Sequence, residues 1–156
     1  MNVKKIGLFL FLILFVSVGS VFAQFVYVIS TGLFYEIDLR EGANGMLWSC
    51  KCYSGAPGYV NDVNKIHREN LGPIPIGIYF ITDVKHKNDG AKTDNTIVLT
   101  PSIFNIMYGR KDFQIHGDRA GSDYGKNLAS TGCIIMDEPY RQKVISSRNT
   151  TLYVLP

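Results

Sequence analysis

Beyond residue 23, turn-forming residues interrupt this chain so often that only one stretch, Glu138 to Ser147, reads as a helix. Asp137 is placed to be its N-cap, and Pro139 suits its first turn. The pieces between the interruptions are short and rich in β-branched and aromatic residues, the composition of strands. Phe25 to Ile29, Leu33 to Leu39 and Met46 to Tyr53 predict an antiparallel meander that turns at Thr31-Gly32 and at Asn44-Gly45, the latter a strong tight-turn pair. Ile78 to Val84, Thr96 to Leu99, Phe113 to His116, Gly132 to Met136 and Thr150 to Leu155 predict five more strands. Polar loops separate them at Ser54 to Gly72, Lys85 to Asn95 and Gly117 to Ala129. Pro73 and Pro75 keep the chain extended after the first loop. A long polar loop in a compact domain often carries function. This one is a candidate cleft lining, with Tyr53 and Tyr59 near a substrate, and exposed filler is the alternative. The pattern is a mainly-β single domain with one or two short helices.

The first 23 residues read as a leader. Lys4 and Lys5 precede an apolar run from Ile6 to Val18, and Val21-Phe22-Ala23 puts a small residue at a cut before Gln24. The run is short for a bilayer-crossing helix of about 20 residues. The expectation is a signal peptide at 1–23, an exported domain at 24–156, periplasmic or secreted, and no stable membrane span after cleavage. The remaining length suits one core. Two of the chain's net three positive charges are Lys4 and Lys5. The rest is nearly neutral, which gives no electrostatic case for a nucleic-acid partner.

Three cysteines, Cys50, Cys52 and Cys133, leave at least one without an intrachain mate. Cys50 and Cys52 share one face of a strand about 6.6 Å apart. That is the outer limit for a disulfide, so buried reduced thiols are expected. No Cys/His cluster has metal-ligand spacing, and neither a metal nor a cofactor is expected.

Two residues carry the candidate chemistry. His116 ends a strand before Gly117, and Cys133 opens one after Gly132. A hairpin-like return would set their strands side by side. A free thiol has a pKa of about 8.5, so little thiolate exists at neutral pH. An imidazole near 6.5 can take its proton. The thiolate then attacks an amide carbonyl and forms a thioester. Backbone N–H groups of Gly132 and Cys133 are candidate oxyanion donors. A backbone carbonyl or Asp118 would orient the imidazole. On spacing alone, a buried apolar cysteine and a structural histidine are the commoner outcome. His67 and His86, in charged loops, read as solvated.

The segment His116-Gly117-Asp118, followed by Ser130-Thr131-Gly132-Cys133-Ile134, resembles the signature of the YkuD-like L,D-transpeptidase superfamily. More closely, the chain is similar to the L,D-transpeptidase-like domain of type VI secretion effectors. The stretches that carry this are Tyr53-Ser54-Gly55, Gly72-Pro73-Ile74-Pro75 with Gly77 and Tyr79, Gly109-Arg110 with Phe113, Ile115 to Asp118, and Ala129 to Ile135. The resemblance runs from about Phe25 to Leu155. It implies an L,D-transpeptidase-like β-sandwich or barrel acting on peptidoglycan tetrapeptide stems. The bond attacked joins the diamino acid's L-centre to the terminal D-alanine. Water as acceptor gives L,D-carboxypeptidase activity, a D-amino acid gives exchange, and a second stem gives a cross-link.

The resemblance makes Cys133 the nucleophile and His116 its base, with Gly132 and Cys133 supplying the oxyanion donors. Ser130 supports the histidine or the substrate. Arg110 would bind a substrate carboxylate through its guanidinium fork, with a surface salt bridge as its alternative role. Asp118 and Tyr53 complete the candidate substrate site. Two features set this chain apart. The residue two after the cysteine, Arg in housekeeping L,D-transpeptidases, is Ile135 here, as in the effector group. Effectors of that system usually lack a cleavable leader, which this chain carries. A toxin would imply an immunity protein as partner. The competing readings are a non-catalytic wall-binding domain of the same fold, and a small secreted β-domain in which Cys133 pairs with Cys50 or Cys52.

Overall fold

The computed structural model describes residues 23–89, 94–118 and 129–156. The leader lies outside these residues except for Ala23, as does most of the loop from Gly117 to Ala129. The meander forms as expected. β1 (Ala23–Val28) pairs antiparallel with β2 (Leu33–Asp38), and β2 with β3 (Met46–Lys51). The predicted third strand is in fact two. It breaks at Cys52, after which β4 (Tyr53–Ser54) joins other partners. At the break the Cys52 amide donates to the Gly32 carbonyl at 2.7 Å. Gly32 has φ +65°, and a Cβ there would stand 2.5 Å from the Cys52 oxygen. Glycine is what lets the β1–β2 turn press against this corner.

The remaining strands are β5 (Gly77–Lys85), β6 (Thr96–Pro101), β7 (Gln114–His116), β8 (Ile134–Ile135) and β9 (Thr151–Leu155). Among the described residues they form one sheet ordered β3-β2-β1-β9-β5-β6-β7-β8-β4. The two strands at opposite ends of that order, β3 and β4, are joined in the chain by Cys52 alone. The sheet must therefore curl until its ends nearly meet, a mainly-β barrel-like domain. Most neighbours are antiparallel. The pairs β1–β9 and β7–β8 are parallel. The last pair corrects the hairpin-like return: a parallel pair needs a long crossover, and the chain between His116 and Cys133 supplies it.

The one α-helix among the described residues is α1 (Glu138–Ser146), one residue shorter than predicted. Asp137 has extended N-cap angles, but its side chain makes no capping bond. Buried Arg141 does the anchoring, its guanidinium donating to the carbonyls of Met136, Asp94 and Asn95. No helix among the described residues is long and apolar enough to cross a membrane.

The core is built from Phe25, Tyr27, Ile29, Phe34, Ile97, Ile115, Ile134 and Leu152, all fully buried. Trp48 stacks on Phe34 with ring centres 5.9 Å apart and also packs on Phe25 and Tyr140. The inward face of β2 carries a buried acid, Glu36. Its two oxygens accept from the Trp48 indole at 2.7 Å and the Ser147 hydroxyl at 2.5 Å, tying β3 and the end of α1 to β2. Replacing Glu36 with alanine strips both donors of their acceptor and should cost about 2–3 kcal/mol. Urea unfolding followed by fluorescence of Trp48, the chain's single tryptophan, measures this. An unchanged midpoint would contradict it.

Candidate active site

The site is built where β8 begins. In the parallel β7–β8 pair, Ile115 lies opposite Ile134 and His116 opposite Ile135. Side chains alternate faces along a strand, so Cys133, just before β8, shares a face with Ile135 and His116. Two residues along and one strand across corresponds to a Cα separation of roughly 8 Å. Strand register therefore sets His116 and Cys133 on neighbouring chain segments at this end of the sheet.

His116 is 1% exposed. Its Nδ1 lies 2.8 Å from the Gly117 carbonyl oxygen. A carbonyl only accepts, so Nδ1 carries the proton and Nε2 is the basic nitrogen. Of the two orienting groups expected, the backbone carbonyl fills the place at Nδ1, not Asp118. Cys133 is buried, with its sulfur 4.0 Å from the Asp112 carbonyl. It lines a cavity of about 310 Å³ together with Glu69, Lys111, Asp112, Gly132 and Arg110. All three cysteines are free thiols. The Cys50 and Cys52 sulfurs lie 3.5 Å apart in the core, and Cys133 pairs with neither. This corrects the disulfide reading.

The Gly132 peptide just before Cys133 is held on both edges. Its N–H donates to Ser130 Oγ at 3.0 Å, and its carbonyl accepts from Ser54 Oγ at 2.8 Å. Both serines serve further backbone groups. Ser130 Oγ also accepts from Gly55 N–H and donates to the Cys133 carbonyl at 2.7 Å. Ser54 Oγ also accepts from Ile74 N–H. Two expectations change. The Ser130 hydroxyl braces the turn before Cys133, its bonds going to backbone and not to the histidine. The Gly132 amide is committed to Ser130, so it is not an oxyanion donor in this arrangement. Gly132 itself has φ +139°, and a Cβ there would stand 2.3 Å from Arg110 Nη2. Only glycine fits.

Arg110 is 7% exposed. Its Nη1 donates to the carbonyls of Ile66 and Pro73, and its Nη2 to those of Gly72 and Thr131. Four of its five N–H donors are thus spent on backbone. This corrects its expected role as a free fork for a substrate carboxylate: it pins the loop from Ser54 to Gly72 against the nucleophile turn. Burial pulls the guanidinium pKa below its ordinary value, against the opposing influence of Tyr79, Cys133 and Glu69.

The first polar loop does reach the cavity, but through Glu69 and Asn70. Tyr53 is buried, its hydroxyl accepting from the Ala129 amide, and neither it nor Tyr59 lines the cavity. His67 and His86 are exposed, as expected. Sequence reasoning missed Ser54, Glu69 and Lys111. Ser54 and Glu69 lay in the polar loop that had drawn notice, and Lys111 did not. Among the described residues no group of three or more His, Cys, Asp and Glu is placed to hold a metal.

A family model described as the Tlde1 domain matches residues 49–153. The fold is similar to that of Mycobacterium tuberculosis L,D-transpeptidase 1, with a TM-score of 0.51 at 12% identity over 86% of this chain. The chain spans 62% of that enzyme's length. The Ldtfm–avibactam carbamoyl enzyme also aligns, at 9% identity and a TM-score of 0.47, over 86% of this chain and 49% of its own. No curated protein matches the sequence. Because the Ser54 hydroxyl serves two buried backbone groups, Ser54→Ala should lower stability by about 2–3 kcal/mol. It should also raise the rate at which Cys133 is alkylated by iodoacetamide in the folded protein. Unchanged stability and alkylation would show that the clamp does not hold the turn.

Proposed function

The chain belongs to the Tlde1 domain family, and on that premise we propose that it is a peptidoglycan-modifying cysteine enzyme that acts on tetrapeptide stems. The observation that supports this reading is the parallel register of β7 and β8, which sets His116 opposite Ile135, two residues from Cys133, with His116 Nδ1 turned to the Gly117 carbonyl at 2.8 Å. In the proposed reaction Nε2 takes the thiol proton, and the thiolate adds to the carbonyl carbon of the diamino acid's L-centre. Arg110 lines the same cavity as Cys133, and its positive charge there favours thiolate. With Gly132 committed elsewhere, the Cys133 amide is the proposed oxyanion donor.

The imidazolium then returns its proton to the scissile nitrogen. The C–N bond breaks, D-alanine leaves, and a thioester remains on Cys133. Water, deprotonated by His116, completes hydrolysis and frees the thiol. The amine of a D-amino acid at the same position completes exchange, and the amine of a second stem completes a cross-link. Ile135, fully buried in β8, occupies the position of the housekeeping arginine, which favours the effector-type form. Export of the domain, to the periplasm or beyond, follows from the leader at 1–23.

Purified protein incubated with a stem tetrapeptide should release D-alanine, or exchange it for an added D-amino acid, as read by mass spectrometry. Cys133→Ala should abolish both activities, and His116→Ala should lower kcat by about 10²- to 10⁴-fold. Unchanged tetrapeptide with folded protein carrying a reduced Cys133 would overturn the catalytic reading in favour of wall binding.

A further inference from the structure

The proposed reaction releases or takes up an amino acid whose carboxylate sits one residue beyond the scissile bond, roughly 4 Å from the attacked carbon. A site that acts only at a chain end needs a cation within contact of that carboxylate, in the same cavity as the nucleophile. Arg110 cannot serve, because its donors are bound to carbonyls. The next residue is differently placed. Lys111 is exposed, lines the same cavity as Cys133, and makes no ion pair or hydrogen bond among the described residues. It adjoins Asp112, whose carbonyl lies 4.0 Å from the Cys133 sulfur, so the lysine is anchored within one residue of the nucleophile.

The same cavity is also lined by Glu69, and Asp112 adds a second carboxylate. A cavity lined by both signs of charge disfavours a bare polyanion. It suits an amino acid, which presents a carboxylate while peptide-bound and both charges when free.

We propose that Lys111 is the specificity-determining residue of a terminal-carboxylate subsite in this cavity, which takes the D-amino acid that leaves or enters, with Glu69 facing its ammonium group when it is free. This rests on the reading of the protein as a stem-peptide enzyme and deepens it. Lys111 acts in binding and takes no part in the proton transfers.

The test compares the intact protein with Lys111→Ala and Lys111→Arg on two probes: a stem tetrapeptide with a free C-terminal carboxylate, and the same peptide ending in a carboxamide. For the intact protein, KM should be about tenfold lower for the free acid, the scale of a partly desolvated charge contact. Lys111→Ala should raise KM for the free acid to near that for the amide, leaving kcat for both probes within about twofold, since only uniform binding is lost. Lys111→Arg should restore most of the preference. Equal KM values for the two probes with the intact protein, or a preference that survives in Lys111→Ala, would overturn this inference while the stem-peptide reading stands. Turnover of neither probe by the intact protein would overturn that reading and this subsite with it.

Discussion

The site depends on how one peptide unit is held. The Gly132 peptide precedes Cys133, and both of its polar edges are taken by buried hydroxyls: Ser130 on the N–H and Ser54 on the carbonyl. Each hydroxyl in turn satisfies a second stretch of backbone, Gly55 for Ser130 and Ile74 for Ser54. In a low-dielectric interior such bonds are strong and costly to leave unmade. The nucleophile turn is therefore fixed to β4 and to the extended segment after the first polar loop. Arg110 closes the third side, with its guanidinium against the glycine where no Cβ fits.

The same economy appears twice. Arg110 and Arg141 are both buried, and both direct their forks at backbone carbonyls rather than carboxylates. Short strands and long loops leave many carbonyls without ladder partners, and a guanidinium can satisfy several at once. Arg141 docks α1 beside β6 in this way, and Arg110 docks a loop beside the thiol. The Arg110 charge thus does two things: it holds the cavity wall, and it puts a positive charge in the cavity that Cys133 also lines.

Much of this was legible in the residues. The β-branched and aromatic runs located the strands, and Asn44-Gly45 and Pro139 marked a turn and a helix start. The His-Gly and Ser-Thr-Gly-Cys pieces marked the pair that the proposed function rests on. What was illegible has physical reasons. Alternation gives a strand's faces but not its direction, so β7 and β8 read as a hairpin when they are parallel. The break at Cys52 is imposed from outside the strand, by the Gly32 carbonyl across the turn. Arg110 read as a ligand because nothing local shows which carbonyls a loop will bring to it. Ser130 read as a substrate group because a hydroxyl's partners are set by tertiary closure. Lys111 and Glu69 went unnoticed because exposed charges in loops look alike until a cavity gathers them.

The central claim is that Cys133 forms the covalent intermediate. Acid-quenching the protein during turnover of a stem tetrapeptide, then measuring the intact mass and mapping the modified peptide, tests it directly. The account predicts an added mass equal to the stem peptide without its terminal D-alanine, carried on Cys133 and released by hydroxylamine as a thioester is. Active protein with no adduct, or with the adduct on Cys50, Cys52 or a hydroxyl, would contradict it.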